Sequence, residues 1–96
     1  MFMDKEDLLH GYCHRFVLDN YKKGDKVCLI TDYDYDIDRE CLCHACLIRN
    51  RRYLDVRGFM DTIDEVLEPF DYGEEMEVSE ISFRDFVKYC KENDLI

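Results

Sequence analysis

Two short segments hold most of the side chains in this chain that are able to do chemistry. All three histidines and four of the six cysteines of the 96 residues fall in residues 10–14 (His-Gly-Tyr-Cys-His) and 41–46 (Cys-Leu-Cys-His-Ala-Cys). Thiolate sulfur and imidazole nitrogen are the ligands that structural zinc sites use. The clustering therefore predicts one zinc ion per chain, bound tetrahedrally in a structural role.

The spacing within the segments indicates how one ion would join two parts of the fold. In a helix, positions 10 and 14, or 10 and 13, lie on the same face. In the second segment Cys43 and Cys46 have the C-x2-C spacing of a zinc knuckle, with Cys41 and His44 as substitutes. Two ligands from each segment would tie the first helix to a central hairpin, and the candidate ligands are His10, Cys13, His14, Cys43 and Cys46. The alternative is that the cysteines pack as small apolar side chains. This is our interpretation of Cys28 and Cys90, which lie outside the two segments.

The same part of the chain also contains the residues of a thiol-enzyme triad in sequence order. Cys13 lies in Gly-Tyr-Cys-His-Arg-Phe, His44 precedes an apolar run, and Asp55 lies in Tyr-Leu-Asp-Val. In this order of Cys, His and Asp, residues 11–57 resemble the papain-like and transglutaminase-like thiol enzymes. The resemblance implies a thiol hydrolase with Cys13 as the nucleophile and with His44 and Asp55 as the other members of the triad.

Two structural conditions follow for such a triad. If Asn50-Arg51 forms a two-residue hairpin turn, position 46 lies opposite position 55, and residues 44, 46 and 55 share one face of the hairpin. The families that the segment resembles place their nucleophilic cysteine at the start of a helix, where the helix dipole lowers its pKa. Our predicted first helix begins two turns before Cys13, so the triad requires that this helix break at Gly11.

Negative charge is the second prominent feature of the sequence. The chain has 23 Asp and Glu against 13 Lys and Arg, for a net charge of −10. Four aspartates alternate with two tyrosines and an isoleucine in residues 32–38, and an extended segment would place them along one edge about 6.6 Å apart. A second acidic region lies between Arg57 and Arg84 and contains no basic residue. The candidate partner-binding residues are Asp32, Asp34, Asp36, Asp38, Glu74, Glu75 and Glu77.

Such a surface repels nucleic acid and complements the basic groove of a nucleic-acid-binding protein. In size, acidity and expected metal content the chain resembles the small phage-encoded anti-CRISPR proteins, in particular inhibitors of the RNA-guided nuclease of type II systems. The resemblance implies that it binds the nuclease directly and obstructs guide or target loading without chemistry. Our leading prediction is therefore a zinc-stabilised inhibitor, not an enzyme, which acts in the host cytoplasm as a monomer or weak dimer. The alternatives are the thiol hydrolase, a metal-stabilised adaptor with an unrelated partner, and an acidic face that serves solubility alone.

The pattern along the chain predicts the elements that must position these residues. An apolar fraction of 47% in a chain of this length indicates one folded domain, residues 1–96. We expect an α+β fold, with a small antiparallel sheet of three to four strands packed by an N-terminal helix and two C-terminal helices. The predicted elements are a helix over 5–22, a buried strand over 27–30, a hairpin with arms 44–49 and 52–57, a short helix opened by Thr62, a strand over 76–81 and a helix capped by Ser82. No long apolar segment is present, so we expect neither secretion nor membrane insertion.

Overall fold

A five-stranded antiparallel sheet organises the part of the chain that the computed structural model describes, residues 12–70 and 76–96. The strand order is β4-β3-β2-β1-β5, and three helices within these two ranges pack against the sheet. The elements are α1 (Cys13–Asn20), β1 (Lys26–Asp34), β2 (Arg39–Arg49), β3 (Arg52–Asp55), β4 (Gly58–Met60), α2 (Ile63–Leu67), β5 (Glu77–Ile81) and α3 (Phe83–Glu92). The α+β class is confirmed, and the sheet has one strand more than the predicted maximum because the short strand β4 was not expected.

The hairpin between β2 and β3 is the one predicted from the sequence. Asn50 and Arg51 adopt positive φ angles of 52° and 65°, as both central residues of a type I′ turn must. The strands pair with Arg49 opposite Arg52 and Leu47 opposite Leu54. Continued by one residue, this register places positions 46 and 55 side by side.

The sheet has an apolar core on each face, which explains the unbroken apolar run in β1. Val27 and Leu29 belong to a cluster with residues of α1 and α3, whereas Cys28 and Ile30 belong to a second cluster with residues of α2. Alternation along β2 follows the same rule, so Ala45 faces the first cluster. Any side chain of β2 can therefore be assigned to a face from its register partner in β1.

The acidic segment forms the far end of the β1–β2 hairpin rather than a separate loop. These two strands pair out to Asp34 opposite Arg39, but β5 pairs with β1 only as far as Thr31. We call residues 32–40 the acidic arm. A bulge where the register shifts, between Ile30 and Thr31, leaves Cys43 as an extra residue in β2.

The two later helices begin as predicted. The Thr62 hydroxyl accepts a hydrogen bond from the Glu65 N–H, and the Ser82 hydroxyl accepts one from the Asp85 N–H. Both are N-caps that satisfy an otherwise unpaired backbone donor. None of the helices within the described ranges has the length and apolar character needed to cross a membrane.

Candidate functional site

A buried hydrogen bond between His44 and Asp55 lies at the centre of the candidate site. Nε2 of His44 is 2.9 Å from Oδ2 of Asp55, and the two residues are 1% and 3% exposed. Arg57 donates to the same carboxylate from its backbone N–H at 2.8 Å and from its guanidinium Nη2 at 2.6 Å. Burial, the largest single influence, raises the pKa of Asp55, but the hydrogen bonds from His44 and Arg57 together lower it to about 2. Asp55 is therefore ionised at neutral pH.

The charge of Asp55 determines the tautomer of His44. An ionised carboxylate only accepts hydrogen bonds, so we assign the ring proton to Nε2. The other nitrogen, Nδ1, is buried and has no hydrogen-bond partner among residues 12–70 and 76–96. The ring also packs against Phe70, with 5.0 Å between the ring centroids. An imidazole fixed at one nitrogen by a carboxylate, with a free lone pair on the other, has the form of a general base.

Cys13 is the first residue of α1. Its sulfur accepts hydrogen bonds from the backbone N–H groups of Ala45 and His14, but the residue is only 6% exposed, and burial, the dominant cause, raises the pKa of the thiol to about 11. The side chain is therefore a neutral thiol at neutral pH. Its position at a helix start is the one that the resemblance to thiol enzymes requires, and it differs from our prediction of a helix that runs through this point. The part of that predicted helix before residue 12 lies outside the described residues.

His44 is a residue of β2, and Cys13 contacts the next residue of that strand from the other face of the sheet. His44 is the register partner of Ile30 and therefore lies on the α2 face of the sheet, together with Asp55. Cys13 packs on the other face, and its sulfur meets the N–H of Ala45, the residue next to His44. Leu47 pairs with Leu54 of β3, and alternate N–H groups of a strand point the same way. The N–H of Ala45 therefore points to the same edge of β2, at a position just beyond the end of β3. No hydrogen bond joins Cys13 to His44 within the described residues.

The residues predicted to bind zinc do not converge in the described parts of the chain. Cys43 and Cys46 belong to strand β2, so they are about 10 Å apart along an extended backbone. Two thiolates on one zinc ion, each about 2.3 Å from the metal, must lie within about 4 Å of each other. Cys46 instead pairs with Cys28 across the sheet, and this hydrogen bond together with burial raises the pKa of Cys46.

The described part of the first segment, residues 12–14, does not supply a metal site either. His14 is half-buried on α1, where burial and then Arg15 lower its pKa, and His10 lies outside the described residues. Across residues 12–70 and 76–96, no group of three or more His, Cys, Asp or Glu side chains is placed to hold a metal ion. The described residues do not fit a zinc centre, and zinc binding by this chain stays a prediction.

The acidic arm presents its charges in a different arrangement from the predicted straight row. Asp32 and Asp34 lie on β1, but the chain turns over residues 35–38, so Asp36 and Asp38 belong to the turn. Asp34 accepts a hydrogen bond from the Asp36 N–H, and Asp38 accepts one from the Tyr33 hydroxyl, which raises the pKa of that tyrosine. The arm borders a cavity of about 490 Å³ that also reaches Cys41, Leu42 and Cys43.

Two apolar side chains near the tip of the arm are exposed to solvent. Tyr35 is 71% exposed and Ile37 is 50% exposed. Of the other predicted partner-binding residues, Glu77 is exposed on β5. Glu74 and Glu75 lie outside the described residues.

Comparison of the chain with protein-family models, curated proteins and solved structures found no match. The site therefore has to be interpreted from its own geometry. Sequence reasoning identified His44 and Asp55 but overlooked Arg57, which makes four hydrogen bonds to Asp55. The only signal was an arginine two residues after the aspartate, where the strand ends.

Proposed function

We propose that this protein is a thiol-dependent hydrolase that transfers an acyl group through Cys13. In this proposal His44 accepts the thiol proton at Nδ1, and Asp55 holds the imidazole through Nε2. One observation carries the proposal: His44 is buried, bonded to an ionised carboxylate at one nitrogen and without a partner at the other among residues 12–70 and 76–96, and is adjacent to the residue whose N–H meets the Cys13 sulfur. A buried acceptor without a partner costs free energy and calls for an explanation, which a role as a general base supplies.

The chemistry starts from a neutral thiol and from the His44 tautomer that carries its proton on Nε2. As the sulfur attacks a substrate carbonyl carbon, the thiol proton passes to Nδ1 of His44, and the resulting imidazolium is stabilised by Asp55. The proton then passes to the leaving group, and water releases the acyl group from the sulfur. The N–H groups of His14 and Ala45 stabilise negative charge that develops on the sulfur. In ligand-free enzymes the bond between nucleophile and base is often long and tightens only with substrate.

The place of Cys13 in the fold also supports this proposal over that of a cysteine used only for packing. The first residue of a helix lies at the positive end of the helix dipole, which favours thiolate formation. Cys90 provides the comparison, because it lies in the same apolar cluster and burial also raises its pKa, but it is near the end of α3. The two thiols therefore share an apolar environment, but Cys13 lies at a helix start and meets the N–H of the residue next to His44, whereas Cys90 lies near a helix end.

The proposal is tested with p-nitrophenyl acetate as an acyl donor. We expect release of p-nitrophenol and, by peptide mapping, an acetyl group on Cys13. Cys13→Ser should abolish both, whereas the matched variant Cys90→Ser should retain them. Acetylation confined to the half-exposed Cys41 and Cys43, or release that Cys13→Ser does not change, would overturn the proposal.

A second candidate function is supported by the acidic arm. It carries four aspartates and two exposed apolar side chains, Tyr35 and Ile37, at the end of a hairpin that extends beyond the pairing of β5. Aromatic groups surrounded by charge are typical of protein interfaces. The arm would dock on a basic nucleic-acid-binding protein, such as the RNA-guided nuclease of the anti-CRISPR hypothesis. This function needs neither Cys13 nor His44, so the two candidates are tested by separate variants.

A further inference from the structure

We propose that Arg57 is a positioning residue that orients Asp55 and, through it, His44; this inference rests on the proposed thiol-hydrolase function. Four hydrogen bonds run from Arg57 to the Asp55 carboxylate. The backbone N–H reaches Oδ1 at 2.8 Å, Nε reaches Oδ1 at 3.1 Å and Oδ2 at 3.2 Å, and Nη2 reaches Oδ2 at 2.6 Å. His44 donates to Oδ2 from Nε2 at 2.9 Å. Arg57 thereby holds the carboxylate to which the imidazole binds.

Arg57 is itself held by the neighbouring helix. Its Nη2 donates to the carbonyl oxygen of Val66 at 3.0 Å, and its Nη1 donates to that of Glu65 at 3.4 Å. Both carbonyls belong to α2, near its C-terminal end, where backbone acceptors lack partners within the helix. The guanidinium therefore connects the site to α2 and keeps the planar, two-pronged geometry that a carboxylate requires.

The charge balance of this buried cluster also depends on Arg57. Within residues 12–70 and 76–96, the groups that face Asp55 are His44 and Cys46 from β2 and Arg57 from the turn after β3, whereas α2 contributes carbonyl oxygens. Arg57 is thus the permanent positive charge among these groups. Without it, the buried Asp55 carboxylate would take up a proton more readily, because Arg57 lowers the pKa of this carboxyl group. A protonated carboxyl group can donate as well as accept a hydrogen bond, so it would no longer define the imidazole tautomer.

The same protein contains a matched ion pair that has no histidine. Nη2 of Arg49 is 2.6 Å from Oδ2 of Asp25, and these side chains are 20% and 4% exposed, against 19% and 2% for Arg57 and Asp55. Arg49 also donates to a backbone carbonyl, that of Asn20, at 3.0 Å. Arg49→Gln therefore removes an ion pair of similar length and burial without changing the candidate site. It is the control for the effect of Arg57→Gln on stability.

The test compares Arg57→Gln, Arg57→Lys, Asp55→Asn, the double variant Asp55→Asn/Arg57→Gln and Arg49→Gln. The readouts are thermal stability, the rate of Cys13 acetylation and the tautomer of His44 from the NMR signals of its ring nitrogens. We expect Arg57→Gln and Arg49→Gln to lose similar stability, but only Arg57→Gln to slow acetylation, by about 10- to 100-fold. Arg57→Lys should recover part of the rate. The double variant should be no slower than Asp55→Asn, because Arg57 acts through Asp55.

Equal acetylation rates in Arg57→Gln and Arg49→Gln, or additive losses in the double variant, would each overturn the role of Arg57. The NMR readout separates this inference from the proposed function, because it requires no turnover. If the wild-type protein does not acetylate Cys13, the hydrolase proposal fails, and the tautomer still decides the role of Arg57. A single Nε2–H tautomer that persists in both Arg57 variants contradicts the positioning role whatever the activity.

Discussion

His44 donates a hydrogen bond from Nε2 to Oδ2 of Asp55 over 2.9 Å, with both side chains removed from solvent. A buried carboxylate of this kind is tolerated only while its partners remain in place. The pair joins β2 to the end of β3 on the α2 face of the sheet, whereas Cys13 belongs to the cluster on the other face and reaches β2 at the N–H of Ala45, the residue next to His44. Its consequences for stability can be measured without knowing the substrate.

Removal of the Asp55 carboxylate should destabilise the fold strongly. Asp55→Ala leaves Arg57 with an unpaired positive charge and His44 with an unpaired Nε2–H, both largely buried. We expect the free energy of unfolding in urea to fall by about 3 to 5 kcal/mol. The exposed Asp36 is the control, and Asp36→Ala should stay within about 0.5 kcal/mol of wild type. Equal effects of the two changes would show that the buried network contributes no stability.

Stability should also fall in acid over a defined range of pH. The pKa of Asp55 is about 2 in the folded protein, and its unfolded value is about 3.9. A depressed folded pKa means that the contribution is complete above the unfolded value and is lost as the pH falls towards 2. Asp25, whose pKa Arg49 lowers, acts in the same direction. Urea unfolding at pH 6, 4, 3 and 2 measures this loss, which should be smaller in Asp55→Asn; a loss of the same size in that variant would contradict the assignment.

Arg51→Gly should stabilise the protein. Arg51 adopts a φ of 65° in the type I′ turn, a conformation that costs a side-chain-bearing residue about 1 kcal/mol more than glycine. The change also creates the preferred Asn-Gly sequence for this turn. We expect a gain of about 1 kcal/mol in the urea unfolding free energy, and a loss for Arg52→Gly, which lies in β3 and pairs with Asp61. Destabilisation by Arg51→Gly would show that a contact of the arginine side chain stabilises the protein by more than the backbone strain costs.

The second candidate function predicts a charge-sensitive interaction of the acidic arm. Changing Asp34 and Asp36 to Lys should weaken binding to a purified type II RNA-guided nuclease and should reduce the salt dependence of that binding. The control changes Asp19 and Glu92 to Lys, which shifts the net charge equally at exposed positions away from the arm. If both double variants bind alike, or if the wild-type protein does not bind the nuclease, docking through the arm is excluded for this partner.

The parts of the fold that were predictable from sequence are those set by local chemistry. Thr62 and Ser82 cap helices because their hydroxyls satisfy backbone N–H groups a few residues away. The Asn50-Arg51 turn fixed the register of β2 and β3, and with it the common face of His44 and Asp55. These features depend on neighbours in the chain and needed no knowledge of tertiary packing.

Other features depended on contacts that the sequence does not display. The C-x2-C spacing of Cys43 and Cys46 suits a knuckle only if the backbone turns there, and pairing with β1 keeps it extended instead. The alternating aspartates after Ile30 are compatible with an exposed strand as well as with a loop, and β1 continues through them. Arg57 was not assigned to the site because its guanidinium is also held by carbonyl oxygens of α2, which is a tertiary contact.

The most direct test of the proposed hydrolase is the rate at which p-nitrophenyl acetate acetylates Cys13 in the wild type, in His44→Gln and in the control variant His14→Gln. His14 is the histidine next to Cys13 in sequence, so its replacement alters the surroundings of the sulfur without removing the proposed base. We expect His44→Gln to slow acetylation of Cys13 by about 100-fold or more, and His14→Gln to leave it close to the wild-type rate. An unchanged rate in His44→Gln, with the protein folded, would contradict the role of His44 as the base and with it the proposed activity.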